Sequence, residues 1–536
     1  MRAVRGVPVD RLAAAALAAL VALGLAVAAV ANLPYPGMWW DEAASFWGSQ
    51  GLSRYAPPFA APGSLRDVVR MNRSENLDPG GFHLLLHLWT RLGRGLAWLR
   101  ALPFAFFLLC AACLGTVGWR LTRSGVFAAA SSASLLLIPG TTYFAFEIRA
   151  FSMESAGAAA GALALVFALE RPSSTRFLLL GATCAAFLSS RYSYAFTAAG
   201  IVSAALVVSL RRGASRHELV RWSAAAIGPL LVAAAAIVRV TTAQQLWPEM
   251  RAGRLGVAAP AYVWGSILRG NPRASEVVLR NAFAPAWLPI TCAVAFCLFV
   301  RPRVSRALAP ARGDDTTHSH DRVGALYAFV LAVEGLSIAA SLLGVYPWDV
   351  GHRWSAYLST VSALAAVALA ADGVALTRLA LRPRPALGDA VRTAGVVLAS
   401  AAVVVAFVRT AGYRQLVAAP HRADVTPQLD RLPASGLRDG CVFVTYYEVP
   451  MVRYLYEYGP YSYRAEYPRV FRFETADQWA SAAPVDAARD GIEYVVTALP
   501  LTEARARFPD ASLAPVAGGD RSLLRVTPAA PGWRPE

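Results

Sequence analysis

The sequence predicts an α-helical polytopic membrane protein with about 11 transmembrane helices and a small C-terminal α/β domain. Three observations predict it. Of 536 residues, 56% are hydrophobic and only 16% are charged, where a soluble chain of this length carries about 25% charge. Apolar runs long enough for a bilayer recur along the chain. Between those runs lie short segments rich in arginine.

The apolar runs fall at roughly 11–33, 97–119, 124–144, 150–169, 176–190, 194–210, 220–240, 284–300, 323–345, 354–371 and 391–409. The N-terminal stretch MRAVRGVPVDR leads into a long apolar segment without a convincing cleavage site, so it reads as an uncleaved first helix. With the N-terminus cytoplasmic, the inner loops are 120-RLTRSG-125, 170-ERPSSTR-176, 211-RRGASRHELVR-221, 301-RPRVSRALAPARGDD-315 and 378-RLALRPRPALGDAVR-392. All are basic, as the positive-inside rule requires. The run 79-PGGFHLLLHLWTRLG-93 is too short for a comfortable crossing, and counting it would invert every later loop. It is placed in the first outer loop as a helix along the membrane surface, with Trp89 at the interface.

This topology gives a transmembrane domain over 1–412, with outer loops 34–96 and 241–283, and an extracytoplasmic domain over 413–536. In the latter, 441-CVFVTYY-447 and 492-IEYVVTAL-499 read as strands, and 448-EVPMVRYLYEY-458 as a helix between them. The six cysteines make no disulfide framework. Cys110, Cys113, Cys184, Cys292 and Cys297 sit in apolar runs, and Cys441 is alone in the tail.

The net charge is +17, and all 51 basic residues are arginines. The absence of lysine excludes P-loop and Schiff-base chemistry. The basic excess belongs to the inner loops rather than to a nucleic-acid surface.

Charges at membrane level are expensive, which makes them functional candidates. Here they gather on the outer side. Asp41 and Glu42 open the first loop in 35-YPGMWWDEAASFWGSQ-50. Asp78 and His83 lie in 75-ENLDPGGFH-83, and Glu147 and Arg149 in the turn 147-EIRAF-151. Arg191 and Tyr192 lie in 189-SSRYSYAF-196, and His352 and Arg353 in 348-WDVGHRWSAYL-358. Arginine binds phosphate through a fixed fork of donors, and a carboxylate can take the proton of an attacking hydroxyl. Such a face suits an anionic, lipid-attached substrate.

Taken in order, WWDEA, LDPGGFHLLLHLW, EIRAF, RYSY and HRW resemble the motifs of the GT-C polytopic membrane glycosyltransferases, over about residues 11–372. The likeness is to the relatives of protein O-mannosyltransferases and of the lipid A aminoarabinose transferase. It implies transfer of a sugar from a prenyl-phosphate donor to a hydroxyl of an extracytoplasmic glycan, lipid or protein. It also implies Asp41 as general base, with Arg149 and Arg353 near the lipid phosphate. Two departures bear on substrate contacts. The segment that often reads His-Pro-Pro-Leu-Tyr-Tyr is DPGGFHL here, which affects Asp78 and His83. The histidine usual in the third outer turn is replaced around Arg191 and Tyr192.

Plainer roles stand beside these. Asp41 could cap a helix over 42–50, a role compatible with catalysis. Glu42, about 100° away on that helix, is a secondary acidic residue. Glu147 and Arg149 share a face only in an extended turn, where they either pair or bind substrate. Arg353 either contacts phosphate or snorkels to the headgroups. No cofactor is read from the sequence. The acidic pair could hold a divalent metal, but no ligand set is complete. A lipid transporter, which needs midplane polar groups and repeats, and a non-catalytic envelope-assembly protein are the alternatives.

Overall fold

The computed structural model describes residues 9–241, 288–302, 314–342, 357–380 and 425–528, with isolated positions between 395 and 405, and without 36, 58, 76–77, 139–140, 434–435, 462–466 and 518–521. The predicted loop 241–283, the predicted span 391–409, and His352 and Arg353 lie outside the described residues or almost wholly so. The chain divides into two compact units, each discontinuous in sequence. The first comprises Met1–Val30, Leu77–Phe82 and Pro103–Gly412; the second comprises Ala31–Asn76, His83–Leu102 and Tyr413–Glu536. The segment that the sequence reading kept with the spans, 34–96, is thus largely grouped with the C-terminal part.

The helices of the first quarter of the chain are α1 (Val9–Asn32), α2 (Trp40–Ser49), α3 (Leu65–Glu75), α4 (Gly81–Thr90), α5 (Leu96–Thr122) and α6 (Gly125–Leu137). They continue as α7 (Thr141–Phe144), α8 (Phe151–Glu170), α9 (Ser174–Leu188), α10 (Tyr194–Arg211) and α11 (Arg216–Thr241). Beyond these, Leu288–Ala295, Asp314–Leu342 and Tyr357–Ala380 are helical. Among the described residues, seven helices are long and apolar enough to cross a membrane, within α1, α5, α8, α10, α11, Asp321–Ala340 and Tyr357–Thr377. Shorter apolar helices occupy the predicted spans 124–144, 176–190 and 284–300, at Gly125–Leu137, Ser174–Leu188 and Leu288–Val300. The chain is a multi-pass membrane protein. The run around α4 forms a helix of 10 residues, about 15 Å long and too short to cross.

In the first unit, α8 is built from small residues, and its Ala156, Ala158, Ala159, Ala162 and Leu165 are fully buried. Small side chains let helices approach closely, which is how apolar helices gain contact where lipid is as apolar as leucine. The closest approach is at Gly181 of α9, where an added Cβ would lie 2.1 Å from the carbonyl oxygen of Ala226 in α11. Nearby, Phe177 stacks on Trp222 at 5.0 Å. One end of the unit collects the loops read as inner: Glu170 pairs with Arg120 at 3.1 Å and Arg322 at 2.8 Å, and Arg212 pairs with Asp321 at 2.9 Å.

The second unit contains a five-stranded sheet in the order β2-β1-β3-β5-β4. Its strands are β1 (Val442–Val444), β2 (Phe471–Phe473), β3 (Tyr494–Thr497), β4 (Ala511–Ala517) and β5 (Ser522–Pro528). β1 runs parallel to β2 and β3, with Val442 opposite both Phe471 and Tyr494. β5 is antiparallel to β3 and β4. Phe443, Ile492, Val495, Phe508, Leu513, Leu524 and Val526 form one core. The helix Val449–Glu457 follows β1, and its residues Val449 through Tyr456 are buried.

That burial comes from docking on α2. Trp47 donates from Nε1 to the Pro450 carbonyl at 2.9 Å, and Phe46 meets Tyr454 edge-on at 4.8 Å. Arg453, 2% exposed, lies over the Trp47 ring at 4.0 Å. It pairs with Glu457 at 3.1 Å and donates to the carbonyls of Arg54 at 3.3 Å and Pro57 at 3.1 Å. Burial raises the Glu457 carboxyl above its ordinary range, with Arg453 opposing that shift.

Two predictions follow from the packing. Gly181→Ala should lower stability by about 1–3 kcal/mol through overpacking, seen as a lower thermal midpoint in detergent; an unchanged midpoint would mean that α9 and α11 can move apart freely. Arg453→Met should cost about 3–5 kcal/mol by leaving the Glu457 charge buried without its cation. In that variant the folded Glu457 carboxyl rises further and holds a proton that the unfolded chain has lost. The variant's midpoint should therefore fall more steeply than that of the natural chain as the pH rises above the ordinary carboxylate range. Parallel pH profiles for the two proteins would contradict the pairing.

Candidate functional site

Each unit carries a group of buried charges. In the second unit, the group is built on the start of α2. Trp39 is extended (φ −100°, ψ 170°), and the helix begins at Trp40. Asp41 is therefore not the N-cap of a helix over 42–50; it sits in the first helical turn. The capping work falls to Glu42, whose Oε2 accepts from the Trp39 backbone N–H at 3.3 Å. The same oxygen lies 3.5 Å from Nη2 of Arg100. Arg100, 2% exposed, also donates to the carbonyls of Tyr35 and Gly37.

The acidic pair is thus divided by geometry. Glu42, 1% exposed, is engaged with Arg100 and its own helix start; Asp41, 5% exposed, projects from a different side of the turn. A helix N-terminus favours the charged form of a carboxylate in its first turn. α4 packs its histidines on α2: the His83 ring lies against Gly48, and Nδ1 of His87 is 2.8 Å from the Ser49 carbonyl. His83 is buried in this packing.

In the first unit, three connections read as outer meet. Asp78 precedes α4, Arg149 precedes α8, and Arg191 precedes α10. Arg191 Nε lies 3.5 Å from Asp78 Oδ1, and its Nη1 lies 3.6 Å from Glu154 Oε2. Arg149 Nη2 lies 3.8 Å from Asp78 Oδ2. The Phe151 ring lies under both guanidinium groups, at 4.4 Å from Arg191 and 5.8 Å from Arg149. The Ser193 hydroxyl donates to Glu154.

The turn before α4 is fixed by the backbone. Gly81 N–H donates to the Ser189 carbonyl at 3.0 Å, and a Cβ on Gly81 would lie 2.1 Å from Ser189 Oγ. Only glycine lets Asp78 approach the Arg191 turn so closely. Two carboxylates and two arginines make the group formally neutral, which limits the cost of burying it. Arg149 is the more exposed arginine, with 17% of its side chain accessible against 3% for Arg191. Glu154 and Glu170 stand 16 residues apart on α8, about 24 Å along its axis, so this group and the basic-loop ion pairs occupy opposite ends of the same helix.

The structure therefore joins Asp78, Arg149 and Arg191. It places Glu147 buried beside the Arg149 turn and Tyr192 half-buried after Arg191. Glu154, Ser193 and Arg100 escaped the sequence reading. Glu154 and Arg100 had a usable signal, since each is the one charge within a predicted apolar run, 150–169 and 97–119 respectively. Trp89, read as an interface anchor, stacks on Trp98 at 4.4 Å with reciprocal indole-to-carbonyl hydrogen bonds. Among the described residues no group of three or more His, Cys, Asp or Glu side chains is arranged to hold a metal ion.

Fold and site together define a multi-pass membrane protein with buried, balanced charges at one end of its helices and a C-terminal α/β segment. No protein-family model and no curated protein matches the chain. Among solved structures, it is similar to ArnT from Cupriavidus metallidurans bound to undecaprenyl phosphate, with 16% identity over 94% of this chain and 97% of that one, at a TM-score of 0.42. The apo state of the same ArnT gives 14% identity, the same coverage and a TM-score of 0.41. The arabinosyltransferase EmbB from Mycobacterium smegmatis gives 19% identity over 74% of this chain, at a TM-score of 0.35. This chain spans 40% of EmbB's length.

Arg191→Gln should destabilise the first unit by about 3–5 kcal/mol, because it leaves Asp78 and Glu154 facing each other without their shared cation. Adding Glu154→Gln to that variant should restore part of the loss. Thermal melting in detergent reads both; a double variant that melts no higher than Arg191→Gln alone would show that the two residues are not coupled.

Proposed function

We propose that the chain is a membrane glycosyltransferase that moves a sugar from a prenyl-phosphate donor to a hydroxyl of an extracytoplasmic acceptor. The observation that supports it is the convergence of Asp78, Glu154, Arg149 and Arg191, from separate connections, at one end of apolar helices. Charges in such a place are costly and tend to be kept for substrate or ion handling. The order of WWDEA, LDPGGFH, EIRAF, RYSY and HRW supports the same reading. In this proposal the N-terminus is cytoplasmic, and the end carrying Arg149 and Arg191 is extracytoplasmic, as is the α/β segment.

Asp41 serves as general base, drawing the proton from the acceptor hydroxyl as that oxygen bonds to the anomeric carbon. The bond from that carbon to the donor phosphate breaks, and prenyl phosphate leaves with the electron pair. Arg149 and Arg353 stabilise the leaving phosphate by charge-assisted hydrogen bonds. Arg191, committed to Asp78 and Glu154, positions Asp78 rather than the phosphate. His352, His83, Glu147 and Tyr192 contribute substrate contacts. Glu42 fixes the start of α2 through Arg100.

A second reading is lipid transport. It is favoured by Glu334, 9% exposed within the apolar helix Asp321–Ala340.

The test uses the full chain in vesicles with radiolabelled undecaprenyl-phosphate sugars and a cell-envelope fraction as acceptor. Asp41→Asn should reduce transfer about 10²- to 10⁴-fold while thermal melting stays close to that of the natural chain. Near-normal turnover in this variant removes Asp41 as the base. Movement of labelled lipid between leaflets with no release of undecaprenyl phosphate would favour transport.

A further inference from the structure

The second unit holds an aromatic group that the reaction scheme above does not use. Tyr446 and Tyr447 form the turn directly after β1, and Trp479 lies on the helix Ala476–Ser481, which follows β2. β1 and β2 are adjacent parallel strands, so these rings stand at the carboxyl ends of neighbouring strands. In open α/β sheets that edge is where ligands bind. Tyr55 and Trp40 of the first loop complete the group.

The rings make a corner. Tyr446 is nearly coplanar with Tyr55 (17°, centroids 4.0 Å apart) and with Trp479 (14°, 5.9 Å). Tyr447 stands nearly perpendicular to Trp479 (83°, 5.1 Å) and to Tyr446 (76°, 5.8 Å). Trp40 meets Tyr447 edge-on at 6.2 Å, and the Arg54 guanidinium covers Trp40 at 4.7 Å. Tyr447 is 44% exposed. Tyr55, Tyr446 and Trp479 are half-buried.

The turn that carries the tyrosines is rigid. Tyr446 N–H donates to Glu474 Oε2 at 2.9 Å, and Thr445 N–H donates to the Val496 carbonyl at 3.0 Å. Glu474 is itself paired with Arg507. Thr445 also bonds through its hydroxyl to Thr497 at 3.1 Å and to Glu448. Side chains buried at the ends of β1, β2 and β3 thus hold two perpendicular ring faces in place before any ligand arrives.

Two flat aromatic walls at right angles, with phenol hydroxyls and a guanidinium beside them, match a carbohydrate ring. A pyranose or furanose offers an apolar C–H face for stacking and a rim of hydroxyls for hydrogen bonding. Trp40 is the first residue of α2 and directly precedes Asp41, so the corner includes a residue of the helix that carries Asp41.

We propose that this corner, formed by Trp479, Tyr446, Tyr447, Tyr55 and Trp40, binds a sugar ring of the acceptor, which makes the acceptor a glycan. This rests on the glycosyltransferase reading for its purpose, but the binding is measurable without turnover. Saturation-transfer NMR on the full chain in nanodiscs, with mannohexaose, maltohexaose and arabinohexaose as probes, reads it directly. At least one probe should receive saturation at its ring C–H protons. Trp479→Ala and Tyr446→Ala should each weaken that binding roughly 3- to 10-fold, and Trp479→Phe should retain most of it.

Binding with no transfer from any prenyl-phosphate sugar would keep the corner and remove the glycosyltransferase reading. The proposal is overturned if no probe receives saturation, or if binding survives both alanine variants. It is equally overturned if the saturation goes to nanodisc lipid in a way that Trp479→Ala abolishes. Circular dichroism of each variant separates loss of binding from loss of fold, and Trp479→Phe preserves the test should Trp479→Ala unfold.

Discussion

The buried guanidinium of Arg453 is the constraint on which the second unit rests. Removing a guanidinium from water is costly unless its nitrogens find acceptors. Arg453 meets them with one carboxylate, Glu457, and two backbone carbonyls, those of Arg54 and Pro57, while its flat face lies on Trp47. Because carbonyls of the first loop are among its acceptors, the loop and the helix Val449–Glu457 cannot separate without stranding the charge. α2 then inherits a fixed position, and Asp41 with it. The hydrogen bonds from Trp47 to Pro450 and from the Tyr454 hydroxyl to the Arg94 carbonyl extend the same attachment on either side.

Charge balance organises the first unit in a parallel way. Several of its arginines and carboxylates occur in mutual contact: Asp78 and Glu154 with Arg149 and Arg191 at one end, Glu170 with Arg120 and Arg322 at the other. The two ends differ in chain logic. At the basic end, pairs join the terminal turns of long helices. At the other end, three short connections fold inward and bring single charges onto the ring of Phe151. That difference explains why the first end reads as a positive-inside signature and the second as a set of motifs.

Much of this was legible in the sequence. Apolar runs marked the helices because bilayer thickness imposes a minimum length, and the strands at β1 and β3 were visible as short β-branched and aromatic runs. The connections that carry Asp78, Arg149 and Arg191 stood out because a charge beside an apolar run is conspicuous. Other features left no local trace. β2, β4 and β5 contain Arg472, Pro515 and Arg525 within short, mixed stretches, and only pairing makes them strands. Glu42 and Asp41 look equivalent in WWDEA; their division depends on Arg100, which lies 58 positions away. Nothing in the stretch around Trp89 reveals Trp98 as its stacking partner. The grouping of the first loop with the C-terminal segment rests on contacts nearly 400 positions apart, beyond the reach of any pattern read along the chain.

That separation sets the timing of biogenesis. Arg453 and the Arg54 carbonyl that receives it are 399 positions apart. At a synthesis rate of about 5–20 residues per second, the loop bearing Asp41 waits roughly 20–80 s for its partner helix to emerge. During that interval every later transmembrane helix is being inserted, while Phe46 and Trp47, both fully buried in the finished protein, lack the helix that covers them. Completion of α2's surroundings is therefore among the last events in the life of the nascent chain, and a chain truncated before residue 453 would carry its spans but leave this loop unfinished.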